Sequence, residues 1–189
     1  MDKPIREEME FPARSASTTD QMFTWEEVRG FLDKETTRRS EYIARILEAL
    51  RARFGDEVME IASKAIYNIG YEKGAMRAKM VKEKQQENDL ESLSKLISHT
   101  TAKLYLGNKV EVQDDRMVVT EDYCPHPKKW REMGFPLSKI VEYCLLFDQV
   151  DKGMIEGYNG NFEAELTGCW NLGRTGVCQM YVKCKEARK

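Results

Sequence analysis

The hydrophobic pattern of this chain changes its period after residue 99, and this change constrains the fold more than any other feature. From Phe31 to Ile97, apolar residues recur three and four positions apart, which is typical of amphipathic helices. Over 110–119, and again over 162–184, many apolar residues alternate with polar ones, which indicates β-strands. We therefore expect an α+β protein whose helical N-terminal half is followed by a four-stranded antiparallel sheet packed against helices.

Local signals predict where the first helices begin and end. Thr24 and Glu27 have the spacing of a capping box, which favours one broken helix or two consecutive helices over about 25–53. Gly55 is suited to end this helical block, and Asp56 is suited to cap the helix that follows. The N-terminal half is thus predicted to consist largely of long helices.

Two later segments, over 71–87 and around Pro125, also carry local signals. The stretch over 71–87 is rich in charged residues and methionine, which predicts a solvated continuation of the second helix. Pro125 and Pro127 both disfavour helix at the preceding residue, so we expect them to interrupt the chain. Two helices are predicted after them, near 128–133 and over about 136–154.

The size and charge of the chain limit the class of protein. Its 189 residues suit one domain over 23–189, preceded by a flexible tail over 1–22 that has no hydrophobic periodicity. Thirty basic and 32 acidic residues nearly cancel, so we expect neither a nucleic acid nor a membrane as partner. No apolar run reaches the roughly 20 residues of a membrane span, which favours a cytoplasmic protein with reduced cysteines.

Cys144 and Asp148 are predicted to share one face of the helix over 136–154, because they are four residues apart. Leu145 and Phe147 flank this face, so the carboxylate would lie beside apolar groups, where desolvation disfavours its charge. Asp148 is thus a candidate catalytic acid or base. The alternative is that Asp148 reaches solvent or caps a neighbouring element.

The segment Cys124-Pro125-His126 places a thiol two residues before an imidazole on a stiff stretch of chain. Such a pair offers a nucleophile or soft metal ligand next to a group that transfers protons. The alternative is an ordinary loop with a packed thiol. Because the chain has two histidines, a mechanism that needs histidine must use His126 or His99.

Zinc is a further alternative for the cysteines. Cys169 and Cys178 are too far apart for the close Cys-x-x-Cys pair of most structural zinc sites. A site assembled from several cysteines nevertheless stays open, and its candidates are Cys124, Cys144, Cys169 and Cys178.

The order of these motifs resembles the L-2-amino-thiazoline-4-carboxylic acid hydrolase family over about residues 40–185. The resemblance rests on Cys124-Pro125, Tyr143-Cys144 with Asp148, Gly157-Tyr158-Asn159, and a turn from Thr167 to Gly173 that leads to Cys178. The family's final turn usually contains Gly-Asp-Asp before its cysteine, whereas Arg174 brings a positive charge here. This difference bears on the substrate more than on the fold.

The resemblance implies a cofactor-free hydrolase that opens a small cyclic amidine of the thiazoline type toward a carbamoyl-cysteine product. Under this interpretation a thiolate of Cys124 or Cys144 attacks the ring carbon, or Asp148 activates water while His126 supplies a proton. Arg174 or Lys128 would hold the substrate carboxylate. The residues expected to bind the substrate are Tyr158, Asn159, Arg174 and Cys178.

The last hairpin is also similar to that of 4-vinyl reductase type small-molecule-binding domains, some of which hold zinc through cysteines. This likeness supports an alternative function as a non-catalytic binding or sensor domain with a cysteine-bound zinc. A purely structural role has only the charged N-terminal helices in its favour. The sequence leaves the natural substrate, the nucleophile and the formation of a homo-oligomer open.

Overall fold

A computed structural model of the chain describes residues 24–98, 107–113, 115–168 and 178–185, without the side chains of residues 167 and 168. The described residues form five helices and four strands. The helices are α1 (Trp25–Phe54), α2 (Glu57–Glu83), α3 (Leu90–Ser98), α4 (Pro125–Glu132) and α5 (Leu137–Tyr158). The strands are β1 (Lys109–Gln113), β2 (Arg116–Glu121), β3 (Phe162–Gly168) and β4 (Cys178–Cys184). The predicted α+β class is confirmed.

Some of the sequence-based predictions fall on other parts of the chain. The tail over 1–22, the two residues His99 and Cys169, and the turn that contains Arg174 lie outside the described residues. Within the described ranges, no helix is long and apolar enough to cross a membrane.

The four strands form one antiparallel sheet in the order β1-β2-β4-β3. Strands β1 and β2 are a hairpin, as the sequence predicts, and β4 inserts between β2 and β3. Met180 of β4 lies opposite Val119 of β2 and Leu166 of β3. Strand β4, which carries Cys178, is therefore a central strand. Hydrogen bonds to β2 and β3 hold β4 in place on both sides.

The capping box at the start of α1 is confirmed. The backbone N–H of Thr24 donates to Oε2 of Glu27 at 2.7 Å, and the N–H of Glu27 donates to Oγ1 of Thr24 at 3.2 Å. Gly55 ends α1 with a positive φ of 81°. Asp56 is the N-cap residue of α2, as predicted, but its side chain makes no capping hydrogen bond, because its Oδ1 accepts from Arg51 Nε at 2.6 Å.

Pro125 and Pro127 begin helix α4, where the sequence had predicted an interruption before a helix at 128–133. The chain is interrupted at Cys124, the residue before Pro125. Its extended backbone (φ −136°, ψ 120°) makes Cys124 the N-cap of the helix. Proline is tolerated in the first turn of a helix because the N–H groups there have no partner within the helix. The two prolines thus start α4 and fix the positions of Cys124 and His126.

Helices α2 and α5 pack in direct backbone contact through glycines, Gly70 and Gly74 on α2 and Gly153 and Gly157 on α5. A Cβ atom on Gly74 would lie 2.1 Å from the carbonyl oxygen of Met154, far inside van der Waals distance. A Cβ atom on Gly153 would lie equally close to the carbonyl oxygen of Tyr67. No other residue type allows this approach, which brings the inner face of α2 against the middle of α5.

Helix α5 joins two hydrophobic cores. Its first half packs with α1 and α4, in a core that contains Trp130, Tyr143 and Leu146. Its last turns pack with α2, α3 and the sheet, in a core that contains Ile155 and Tyr158. The residues between these two halves of α5 include Asp148 and Asp151. Polar groups therefore lie at the junction of two apolar cores, where burial affects their charge strongly.

Candidate functional site

A cavity of about 280 Å³ lies at this junction. It is lined by five of the residues that the sequence singled out: Cys124, His126, Cys144, Asp148 and Cys178. They come from three separate elements, since Cys124 and His126 belong to the start of α4, Cys144 and Asp148 to α5, and Cys178 to β4. The fold thus brings together at one cavity residues that are up to 54 positions apart in the chain.

The start of α4 presents Cys124 to this cavity. Of the first three helical positions that follow Cys124, only His126 has a backbone N–H, because the other two are Pro125 and Pro127. The partial positive charge at a helix N-terminus favours negative charge at this position.

The imidazole of His126 is held in one tautomer by α1. Ser40 Oγ lies 2.6 Å from Nδ1 of His126 and 2.7 Å from the carbonyl oxygen of Thr36. A carbonyl can only accept, so the single hydroxyl proton of Ser40 is donated to Thr36 and the hydroxyl oxygen accepts from His126. Nδ1 therefore carries the ring proton, and Nε2 is left as an acceptor.

Burial keeps this imidazole neutral. The His126 ring lies between aromatic side chains, with centroid distances of 4.9 Å to Phe147 and 5.8 Å to Trp130. Desolvation lowers the pKa of His126 from 6.5 to about 4. At neutral pH the residue is an uncharged hydrogen-bonding group, which disfavours the predicted role of His126 as proton donor.

Asp148 is almost completely buried, with 5% of its surface exposed. Lys152 Nζ lies 2.9 Å from its Oδ2, but the approach is an ion pair without the alignment of a hydrogen bond. Desolvation is the larger effect and raises the pKa of Asp148, while Lys152 acts in the opposite direction. The alternative in which Asp148 reaches solvent is therefore excluded.

Two further carboxyl groups line the cavity, those of Asp151 and Glu121, and neither has a predicted role. Burial raises the pKa of Asp151 to about 7, and the neighbouring charge of Asp148 adds to this shift. Burial likewise raises the pKa of Glu121 to about 7, with a contribution from Asp151. Asp151 lies on the same helical stripe as Asp148, which was a usable signal, whereas Glu121 ends β2 and could not be placed without the sheet.

A second cavity of about 240 Å³ adjoins the first. The two share the wall formed by Glu121, Asp148, Asp151, Leu166 and Cys178. The second cavity has three polar lining residues that the first cavity lacks, namely Arg77, Asn108 and Gln179. The basic stretch over 71–87 is therefore only partly a solvated helix, since Arg77 turns inward and the neighbouring Gly74, Ala78 and Val81 are buried.

The remaining predicted substrate-binding residues lie elsewhere. Tyr158 is buried in the core against the sheet and lines neither cavity. Asn159 ends α5, and its Nδ2 donates to the carbonyl oxygen of Asn88 at 2.7 Å. Lys128 lies 3.6 Å from Asp33 and also lines neither cavity, so the structure does not bring it to the predicted carboxylate site. These residues have local structural partners that the sequence could not reveal.

Among the residues that the structure describes, no group of three or more histidine, cysteine, aspartate or glutamate side chains could hold a metal ion. The zinc-binding alternative concerns Cys169 as well, which lies outside these residues. Elemental analysis of the purified protein tests it directly, and less than one zinc per chain counts against it.

Comparison with known proteins identifies the family. The family model described as L-2-amino-thiazoline-4-carboxylic acid hydrolase matches residues 36–181. The chain belongs to this family. The match spans all the described residues of both cavities, and it confirms the resemblance carried by the cysteine motifs. No curated protein matches the chain.

The solved structures that match this family member include a distant likeness. It is subunit 3 of a trafficking protein particle complex from Naegleria fowleri, crystallised covalently bound to palmitic acid. The two chains are 17% identical, the alignment covers 78% of this chain and 96% of that one, and the TM-score is 0.49. A similarity at this level indicates neither activity nor partner.

Proposed function

We propose that this family member is a hydrolase that opens the ring of a small cyclic amidine of the 2-amino-thiazoline type without a cofactor. The observation that carries the proposal is the convergence of Cys124, a neutral His126 and the carboxyl groups of Glu121 and Asp151 on one cavity. Ring opening needs a nucleophile, a base that takes its proton and an acid that protonates the leaving atom. Each of these needs has a candidate in the cavity.

The carboxyl groups of Glu121 and Asp151 suit the proton transfers. Both have a pKa of about 7, so at neutral pH the two groups together hold about one proton. The ionised group can accept a proton while the protonated group donates one. Pairs of carboxyl groups that divide acid and base roles in this way serve catalysis well near neutral pH.

The thiol of Cys124 is the proposed nucleophile. Its sulfur adds to the ring carbon that carries two nitrogens and the ring sulfur, the electron pair of the protonated C=N bond moves onto its nitrogen, and the thiol proton passes to the ionised carboxylate. The ring bond from this carbon to sulfur or nitrogen then breaks, and the protonated carboxyl group supplies a proton to the leaving atom. Water finally adds to this carbon, the bond from the carbon to the sulfur of Cys124 breaks to release the carbamoyl product, and a proton from the water returns to the sulfur. Each step conserves atoms and charge and needs no oxidant or reductant.

His126 and Asp148 are proposed to orient the amidine. An amidine carries N–H donors, and the Nε2 atom of His126 is an acceptor when the proton resides on Nδ1. Asp148 offers a buried carboxylate that can accept from a second N–H group. This role for His126 replaces the proton donation that the sequence suggested.

The test is turnover of L-2-amino-thiazoline-4-carboxylic acid, followed by chromatography of substrate and product. We expect the wild type to hydrolyse it, Cys124→Ala to abolish turnover, and Asp151→Asn to slow it by about 100-fold or more. The matched controls are Cys184→Ala and Asp115→Asn, whose side chains are exposed and outside both cavities. Absence of turnover of this compound and of related cyclic amidines by the wild type would contradict the proposed function.

A further inference from the structure

Arg77 has an unusual environment for a partly buried arginine. It lies on α2, lines the second cavity, and makes no ion pair within 4 Å with any residue that the structure describes. Its Nη1 donates to the sulfur of Met154, which is a weak acceptor. Burial lowers the pKa of Arg77, and the charge of Asp151, which acts in the opposite direction, offsets only part of the cost of enclosing the guanidinium.

Asn108 supplies a second, independent observation in the same cavity. It is 5% exposed, and its Oδ1 atom is buried with no hydrogen-bond partner among the described residues. Buried polar atoms nearly always have a partner, which is often a ligand or a bound water in a functional site. The second cavity therefore contains two polar groups that a ligand could satisfy.

The distribution of charge across the two cavities is uneven. The shared wall carries three carboxyl groups, those of Glu121, Asp148 and Asp151. Arg77 lines only the second cavity, whereas Cys124 and His126 line only the first. A ligand that fits this arrangement presents N–H groups or positive charge to the carboxyl wall and negative charge to Arg77.

We propose that Arg77 binds the carboxylate of the substrate and selects cyclic amidines that carry such a group. This inference rests on the proposed function, since the amidine must lie against the carboxyl wall. Guanidinium groups bind carboxylates through two parallel N–H donors, which fixes the orientation of the ligand as well as its affinity. Arg77 thus performs the task that the sequence had assigned to Arg174 or Lys128.

The experiment compares two ligands that differ only in the carboxylate, L-2-amino-thiazoline-4-carboxylic acid and 2-amino-thiazoline. Their dissociation constants are measured by calorimetry on Cys124→Ala protein, in which the ring is expected to stay intact. Arg77→Met is then introduced into this protein, with Arg53→Met as the matched control because Arg53 is exposed on α1. Circular dichroism establishes that each variant is folded.

We expect Arg77→Met to weaken binding of the carboxylate compound by about tenfold to a hundredfold and to change binding of 2-amino-thiazoline by less than about twofold. Arg53→Met should change neither. Equal weakening of both ligands would overturn the inference, because it would show a structural role for Arg77, and unchanged binding of the carboxylate compound would also overturn it. If Arg77→Met does not fold, Arg77→Lys, which keeps the charge but loses the paired donors, must show the same selective loss in smaller measure.

The outcomes separate this inference from the proposed function. Selective loss of carboxylate binding in a protein whose wild type hydrolyses neither compound would support Arg77 as the anion site and contradict the hydrolase. If the wild type hydrolyses the carboxylate compound and Arg77→Met does so with the same KM, the hydrolase is supported and the role of Arg77 is overturned. No binding of either compound would overturn both.

Discussion

Ser40 Oγ on α1 lies 2.6 Å from Nδ1 of His126 on α4, and this contact fixes which nitrogen of the imidazole carries the proton. Ser40 is itself held by Thr36, one turn earlier on α1. The indole of Trp130 adds to this arrangement, because its Nε1 donates to the carbonyl oxygen of Ser40 at 3.3 Å. Helix α1 supplies no residue to the wall of the first cavity, yet it determines the tautomer of His126, which lines that wall.

Removal of this contact should affect activity through the tautomer. In Ser40→Ala the Nδ1 proton has no acceptor, so the neutral ring divides between its two tautomers and Nε2 is less often an acceptor. We expect kcat/KM to fall by about tenfold. The ¹⁵N chemical shifts of the His126 ring should show the mixture of tautomers directly. The exposed Ser138→Ala variant serves as control, and a wild-type ring that is protonated on Nε2 would contradict the assignment.

The raised pKa of Asp151 should make stability depend on pH. The folded protein keeps a proton on this group up to about pH 7, whereas the unfolded chain loses it near the ordinary value of 3.8. Between these values the folded state binds more protons, so its stability falls as the pH rises. Asp151→Asn removes this titration. Relative to wild type, the variant should therefore become more stable from pH 5 to pH 8.

Urea unfolding of both proteins at pH 5, 6.5 and 8 measures this difference. His126, whose pKa is lowered, contributes the opposite trend, since its stability contribution is lost as the pH falls from about 6.5 toward 4. That contribution is common to both proteins and cancels in the comparison. For the exposed Asp115→Asn the difference from wild type should be the same at every pH. If the free energies of unfolding of wild type and Asp151→Asn differ by the same amount at every pH, the carboxyl group of Asp151 is ionised in the folded wild type.

The glycine contact between α2 and α5 should tolerate no side chain. In Gly74→Ala the new methyl group meets the backbone of Met154, which can move only if the two helices separate. We expect a loss of about 1–3 kcal/mol or more in the free energy of unfolding. Gly30→Ala is the control, because a Cβ atom there meets open space and alanine favours helix by roughly 0.5–1 kcal/mol. Equal effects of the two substitutions would mean that the helices do not touch at Gly74.

The parts of the fold that the sequence predicts are those that depend on neighbouring residues. The capping box of Thr24 and Glu27 is formed within one turn of helix, and the β1–β2 hairpin within a few residues. The shared face of Cys144 and Asp148 follows from helical geometry alone. The convergence of Cys124 and Cys178 with them was anticipated through the family resemblance, because no local pattern connects β4 to α4.

The parts that the sequence does not predict depend on contacts between distant elements. The basic composition around Arg77 is typical of a solvated helix, and only the close approach of α2 to α5 turns this residue inward. Glu121 has no distinguishing neighbours in the chain, and it reaches the cavity because β2 pairs with β4. Tyr158 and Asn159 stand beside family motifs, yet the packing of the end of α5 gives them structural partners.

The most direct test of the account is to trap the intermediate that Cys124 is proposed to form. Wild-type protein is mixed with L-2-amino-thiazoline-4-carboxylic acid, quenched in acid during turnover, digested and analysed by mass spectrometry. We expect a substrate-derived mass on the peptide that contains Cys124. It should be absent from the peptides of Cys144 and Cys184, and absent in the Cys124→Ala protein. Undiminished turnover by Cys124→Ala, with no adduct on any cysteine of the wild type, would contradict it.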